Sequence, residues 1–104
     1  MTSPSQRTLK RLRDDGWLAE VVERWIPGAN IRKDLWGFVD VLAIRGDETL
    51  GVQSTSGANV AARIAKITDS PLLAAVRGAG WRIEVDGWRK NAAGRWVCRT
   101  VDLS

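Results

Sequence analysis

Two apolar segments separated by a short turn constrain the fold of this chain more than any other feature of its sequence. The first covers residues 36–44 (WGFVDVLAI) and the second residues 49–55 (TLGVQST), with Gly46 and Asp47 in the turn between them. Apolar runs of this length are typical of sheet strands, and a turn with Gly next to Asp joins antiparallel strands. The two segments therefore predict a β-hairpin at the centre of a sheet.

Each apolar segment contains one polar residue that a buried strand does not require, Asp40 in the first and Gln53 in the second. Both lie equally far from the turn, so simple antiparallel pairing places them opposite one another, about 5 Å apart. Thr55 lies two residues after Gln53 and therefore on the same face. Burying an unpaired carboxylate costs several kcal/mol, so Asp40 needs a partner. That partner is a buried arginine, a backbone donor or a hydrated divalent cation.

The segments around this hairpin predict the order α-β-β-β-α-β-β in one domain over residues 1–104. Leu9 and Leu12 share one face of a first helix over residues 3–16, and Ser3 or Ser5 can cap its start. Residues 17–25 are predicted as a strand and residues 26–34 as a loop. A helix over 56–67, with Val60, Ile64 and Ile67 on one face, and a second helical segment over 69–80 that contains Pro71 precede strands over 80–90 and 94–103.

Composition restricts the chemistry that such a domain can perform. The chain has no histidine and a single cysteine, Cys98, which excludes Cys/His zinc sites, histidine-based triads and an internal disulfide. Any metal must be bound through oxygen, which favours Mg²⁺, Mn²⁺ or Ca²⁺. The 16 Lys and Arg residues exceed the 12 Asp and Glu residues, consistent with a polyanionic partner. Without a long apolar segment or an apolar signal core, we expect a cytoplasmic protein with no membrane partner.

The segment DLWGFVDVLAI (34–44), followed by a turn and the triplet Gln53-Ser54-Thr55, resembles the PD-(D/E)XK nuclease superfamily. The similarity is greatest to its compact Holliday-junction-resolvase-like and VRR-NUC-like members, and to short phage and bacterial proteins with the pattern DLFGFxDxLAxR…VQxTSGSN. It covers nearly the whole chain, although only residues 34–44 are specific. The resemblance implies an α/β fold with a restriction-endonuclease-like core, in which helices flank a mixed central sheet.

The resemblance also implies a site. Asp40 matches the metal-binding acid of the superfamily, Gln53 stands at the (D/E) position, and Thr55 stands at the lysine position. Gln6 is the best match for a glutamate that family members carry in the first helix. Asp40, Gln53 and Gln6 would then bind Mg²⁺ or Mn²⁺, and Asp40, Gln53 and Thr55 would be catalytic. Three of these four positions depart from the superfamily pattern, and nearby charged residues can replace the missing groups: Glu20, Glu23, Lys33, Asp34 and Lys66.

Several basic, polar and aromatic residues are candidates for contact with DNA. Asn59, Arg63 and Lys66 form one polar stripe on the helix that follows the triplet, which is either a solvated face or a phosphate-binding surface. Trp36 and Lys33 precede the Asp40 strand, where the tryptophan can stack on a base or sugar.

The sequence thus predicts a metal-dependent DNA endonuclease-like protein that hydrolyses phosphodiester bonds, in branched or phage DNA processing. One alternative is a DNA-binding module that keeps the fold without catalysis, and another is a protein-interaction module such as a phage-encoded inhibitor or assembly factor. Because resolvase-like relatives dimerise, a homodimer is expected by analogy.

Overall fold

A computed structural model describes residues 3–104 of the chain. Its α-helices are α1 (Pro4–Asp14), α2 (Val60–Thr68) and α3 (Leu73–Gly78), and a single 3-10 turn (Gly57–Asn59) precedes α2. Its strands are β1 (Leu18–Val21), β2 (Arg24–Ile26), β3 (Ile31–Lys33), β4 (Val41–Arg45), β5 (Glu48–Ser56), β6 (Arg82–Lys90) and β7 (Trp96–Asp102). In this part of the chain no helix is long and apolar enough to cross a membrane.

Five strands form the main sheet in the order β1-β4-β5-β6-β7. Strands β5 and β6 pair in parallel, and the other neighbours are antiparallel. The predicted hairpin is confirmed as β4–β5, with Val41 opposite Val52 and Arg45 opposite Glu48. Because Gly46 and Asp47 alone connect the two strands, the turn fixes this register. The chain is therefore an α/β protein with a mixed central sheet, as predicted.

Helix α1 covers one face of the main sheet. The Ser3 hydroxyl accepts a hydrogen bond from the Gln6 backbone N–H and caps the helix, while Gly16, at φ 85°, follows its end. The predicted apolar face of Leu9 and Leu12 is buried against residues of β1, β4 and β5. The helix therefore carries a serine-rich start to one edge of this core.

Helices α2 and α3 cover the opposite face. Val60 and Ile67 are buried there with Leu73 and Val76, and Ile64 packs at the edge, which confirms the predicted apolar stripe of α2. Gly87 of β6 makes this packing possible, because a Cβ at that position would lie 2.2 Å from Cγ2 of Val60. The start of α2 thereby lies close against β6.

Three predicted boundaries were wrong. Residues 17–25 form two strands, β1 in the main sheet and β2 in a separate hairpin with β3, so the predicted 26–34 loop contains a strand. The predicted strand over 36–44 begins only at Val41. Before it, Leu35 pairs with Val39 around a tight loop in which Trp36 and Gly37 have φ values of 58° and 81°. Gly37 permits that left-handed turn, so the apolar run folds back on itself.

Candidate metal centre

Asp40 lies immediately before β4, with its backbone held between neighbouring strands. Its C=O accepts from the Val22 N–H at 2.8 Å, and its N–H donates to the Val52 C=O at 2.9 Å. The carboxylate is buried, and its Oδ2 accepts hydrogen bonds from Nε2 of Gln53 at 2.6 Å and from the Ser54 N–H at 2.8 Å. The predicted juxtaposition of Asp40 and Gln53 is thus present in the structure.

Two further carboxylates converge on Asp40. Glu23, which follows β1, and Asp34, which follows β3, each place an oxygen so that the ligand atoms of the three acids lie within 4.8 Å of one another. The pKa of Asp40 is raised to about 8, mainly by burial and next by the hydrogen bond with Asp34, whereas the hydrogen bond from the Ser54 N–H lowers it. The negative charges of Asp34 and Glu23 act in the same direction as burial. The cluster therefore favours a proton or another cation on Asp40.

Three cations from two elements, β3 and α2, line the cleft that contains these acids. Nη1 of Arg32 lies 3.4 Å from Glu23, and Nζ of Lys66 lies 3.5 Å from Asp34. Arg63 also lines the cleft, whose volume is about 330 Å³. Within residues 3–104, no lysine or arginine nitrogen lies within 4.0 Å of the Asp40 carboxylate. Asp40 is therefore the acid of the cluster that lacks a cationic partner.

A second buried acid, on the opposite face of the sheet, has the arginine partner that Asp40 lacks. Asp86 of β6 is fully buried and accepts hydrogen bonds from Nε and Nη2 of Arg11, from the Thr8 hydroxyl and from the Thr100 hydroxyl. The Ser54 hydroxyl in turn donates to Thr8 at 2.9 Å. Asp86 is thus a buried acid whose charge is compensated by Arg11, whereas Asp40 has no such ion pair within residues 3–104. The sequence analysis did not single out Asp86.

The structure places the other predicted metal and catalytic residues differently. Gln53 presents its amide N–H to Asp40 and Asp34 and its carbonyl oxygen to Lys66, so it acts here as a hydrogen-bond donor to the acids and not as a ligand. Gln6 is exposed on α1 outside the cleft, where Ser5 donates to Glu23 instead. Thr55 is buried towards the end of β5 and does not line the cleft.

Of the five predicted DNA-contacting residues, two line the acidic cleft and three lie outside it. Arg63 and Lys66 line the acidic cleft. Asn59 is exposed and donates to the Ser56 hydroxyl, outside that cleft. Lys33 lies in β3 and borders a separate groove with Trp36, whose ring also meets an apolar groove on α3. The predicted stripe on α2 is therefore connected to the acids through two of its three members.

The donor set of the cleft fits a hard divalent cation. Three carboxylates in one cleft supply the charged oxygens that Mg²⁺ and Mn²⁺ prefer, and the cleft leaves room for the waters that such ions retain. The group Glu23, Asp34 and Asp40 can thus hold a metal ion. Sequence reasoning named Glu23 and Asp34 only as alternatives and missed Ser5 and Arg32. Comparison of the chain with protein-family models, curated proteins and solved structures found no match.

Proposed function

We propose that this protein is a metal-dependent nuclease that hydrolyses phosphodiester bonds in DNA, with a site of the PD-(D/E)XK kind. The observation that carries the proposal is the convergence of Glu23, Asp34 and Asp40 in a cleft with a basic rim. Negative groups at the centre suit a divalent cation, and positive groups around them suit the phosphates of a nucleic acid.

The order of elements around the main sheet supports the resemblance to that superfamily. Leaving aside the β2–β3 hairpin, the order is α1, β1, β4, β5, a helical layer, β6 and β7. Asp40 precedes β4, Gln53 lies opposite it on β5, and α2 follows. These positions correspond to those of the acid, the (D/E) residue and the following helix that the resemblance implied.

Residues from other elements of this chain can replace the charged groups that the superfamily pattern requires and that Gln53, Gln6 and Thr55 do not provide. The charge absent at Gln53 and Gln6 is supplied by Asp34 and Glu23. Thr55 cannot act as a cation, but Nζ of Lys66 reaches the site from α2, 3.4 Å from Oε1 of Gln53. The site is therefore complete in its chemistry although its residues come from different positions of the chain.

In this arrangement Glu23, Asp34 and Asp40 would bind Mg²⁺ or Mn²⁺. When bound, such an ion stabilises charge on a phosphoryl oxygen and lowers the pKa of a water. Gln53 orients Asp40 through the 2.6 Å hydrogen bond and also contacts Asp34 at 3.3 Å. Lys66 would stabilise negative charge on the reacting phosphate, and Arg63 would hold a flanking phosphate at the rim of the cleft.

The test combines metal binding with cleavage of branched, single-stranded and linear duplex DNA in Mg²⁺ and Mn²⁺. Asp40→Asn should abolish both the metal-induced rise in Tm and cleavage. Lys66→Gln should reduce cleavage by at least about 100-fold, the scale of a lost electrostatic or proton-transfer group, while keeping the metal-induced rise. Arg99→Gln, an exposed change on β7, should behave as the parent. A parent protein whose Tm does not respond to either ion would overturn the proposal.

A DNA-binding module without catalysis is the second candidate. It is favoured by the orientation of Gln53, which turns its N–H rather than an oxygen towards the acids. Metal-dependent stabilisation and DNA binding without cleavage of any of the three substrates would identify this function. In that case Asp40→Asn should weaken the response to metal, and neither the variant nor the parent should cleave DNA.

A further inference from the structure

A groove rich in basic and aromatic side chains lies between α1 and the β6–β7 hairpin. Its residues are Arg7, Lys10, Trp88, Lys90 and Trp96, and we refer to it as the Trp96 groove. It consists of two adjoining cavities of about 500 and 690 Å³ that share Arg7, Trp88 and Trp96. None of these residues belongs to the acidic cleft, so this is a separate surface.

The strand register builds the aromatic part of the groove. Lys90 lies opposite Trp96, and Trp88 lies opposite Cys98, so these side chains project from one face of the sheet. That face is the one that α1 covers, because Trp88 donates its Nε1–H to the Thr8 hydroxyl at 3.0 Å. This hydrogen bond fixes the Trp88 ring. Trp96, by contrast, is 44% exposed and presents its indole to solvent.

The basic residues of the groove differ in how far their charges are already neutralised. Lys10 is paired with Asp14 at 2.7 Å, and Arg11, which also lines the smaller cavity, is paired with Asp86. Arg7 and Lys90 form no ion pair within residues 3–104. Instead, Cζ of Arg7 lies 3.6 Å from the Trp96 ring centroid, and Nζ of Lys90 lies 5.4 Å from it. Two uncompensated cations therefore surround one half-exposed indole.

The Trp96 groove is continuous with the acidic cleft. Ser3 and Pro4, at the start of α1, line the larger cavity of the groove and also line the cleft that holds Glu23, Asp34 and Asp40. An extended ligand can thus pass from Trp96 over the start of α1 to the acids without leaving the protein surface. Among residues 3–104, no Asp or Glu lines the larger cavity, so a polyanion meets no carboxylate there.

We infer that the Trp96 groove binds a single-stranded segment of nucleic acid and leads it to the acidic cleft. Phosphates contact Arg7 and Lys90, and an unstacked base stacks on Trp96 or on the planar Arg7 guanidinium that lies over it. A paired base cannot use an isolated indole, because its faces are already stacked within the duplex. The delivery of the strand for cleavage rests on the proposed function, whereas binding in the groove does not.

Fluorescence anisotropy with a labelled oligo(dT) in EDTA tests the binding without any cleavage. Trp96→Ala should weaken binding by about 5- to 150-fold, the range measured for loss of a base–aromatic stack, and Trp96→Phe should restore most of it. In a plot of log binding constant against log salt concentration, Lys90→Gln should make the negative slope less steep by about 0.7, the value for one phosphate contact on a single strand. Arg99→Gln is the matched control, because Arg99 lies opposite Gly87 on the other face of β7, and it should leave the slope unchanged.

Each outcome decides between the groove and its alternatives. Equal affinity of Trp96→Ala and the parent, with both folded by circular dichroism, would overturn the inference. Displacement of oligo(dT) by polyglutamate at equal charge concentration would show a surface for acidic proteins instead and would also overturn it. Weakened binding of the Trp96 variants in a protein that never cleaves DNA would leave the groove established and the nuclease proposal wrong. Normal cleavage of single strands by Trp96→Ala would support the nuclease proposal and would show that the groove does not lead the strand to the acidic cleft.

Discussion

At the scale of single residues, Asp40 is the acid whose charge the fold stabilises least. It is buried, it has two carboxylate neighbours, and its two hydrogen-bond donors, Gln53 and the Ser54 N–H, are both neutral. Asp86, equally buried, is held by the bidentate Arg11. The first arrangement gains from a bound cation, and the second already contains one.

The stability of the metal-free protein should therefore fall as the pH rises from about 4 to about 8. The Asp40 pKa is about 8 in the folded protein against 3.8 ordinarily, so between these values the folded state binds the extra proton. Urea denaturation in EDTA at pH 5 and pH 8 should show a loss on the order of a few kcal/mol. Asp40→Asn should remove most of this difference, whereas Asp14→Asn, at an exposed ion pair, should leave it in place. An equal dependence on pH in Asp40→Asn and the parent would contradict this assignment.

Gln53→Glu should lower stability without metal and increase the stabilisation by metal. The change replaces an N–H donor 2.6 Å from Asp40 with a carboxylate oxygen, which removes a buried hydrogen bond and adds a negative charge. We expect a Tm at least about 5 °C lower in EDTA and a larger rise with Mn²⁺ than in the parent. Gln6→Glu, on the exposed side of α1, is the matched control and should change neither value appreciably. A Gln53→Glu protein as stable as the parent in EDTA would show that this side chain does not contact Asp40.

At the scale of elements, the hairpin β4–β5 determines the centre of the site, and α2 determines its rim. Helix α2 reaches the sheet only because Gly87 has no side chain beneath Val60. A Cβ at Gly87 would meet the short, stiff Val60 side chain, which cannot rotate away without disturbing the core.

Gly87→Ala should therefore destabilise the protein by about 1–3 kcal/mol and displace α2 with its residues Arg63 and Lys66. Gly78→Ala, at the end of α3 where a Cβ would meet nothing within 4 Å, should be neutral or stabilising by up to about 1 kcal/mol. Chemical denaturation of both variants measures the difference. If Gly87→Ala were as stable as Gly78→Ala, the close approach of Val60 to β6 would be wrong.

The hairpin and the Asp40–Gln53 contact were predictable because the two-residue turn alone fixes their register. The helix α1 and the apolar stripe of α2 followed from spacing in the same way. The positions of Glu23 and Asp34 were not predictable to the same degree, since they depend on the β2–β3 hairpin and on the loop from Leu35 to Val39. Gly37 was a usable signal for that loop, but the left-handed backbone of Trp36 was not, because a residue with a Cβ rarely adopts a positive φ.

At the scale of the whole molecule, some basic residues stabilise the fold through ion pairs, and others are available to bind a polyanion. Arg11, Arg45 and Arg82 form ion pairs within the fold, while Arg63 lines the acidic cleft without an ion pair among residues 3–104. Net charge alone therefore says little about where a polyanion binds.

Salt titration of duplex DNA binding in EDTA should locate that surface. In a plot of log binding constant against log salt concentration, Arg63→Gln should make the negative slope less steep by about 0.9, the value for one neutralised phosphate of duplex DNA. Arg99→Gln should leave this slope unchanged. Because both variants lose one positive charge, a general effect of net charge would lower the two slopes equally. That equal result would place Arg63 away from the DNA.

The ion pair between Arg11 and Asp86 also has a consequence for the biosynthesis of this protein. Helix α1 precedes the strands of the main sheet in the chain, and the groups that satisfy its inner face lie 75 and 78 residues later. During translation Thr8 and Arg11 lack these partners until β6 has been made, so we expect α1 to dock late and its apolar face to stay accessible to chaperones until then. Ribosome-bound chains stalled before Asp86 should be cleaved by protease within α1, and chains stalled well after β7 has emerged should resist it. Protection of α1 in the shorter chains would show that the helix docks on β1, β4 and β5 alone.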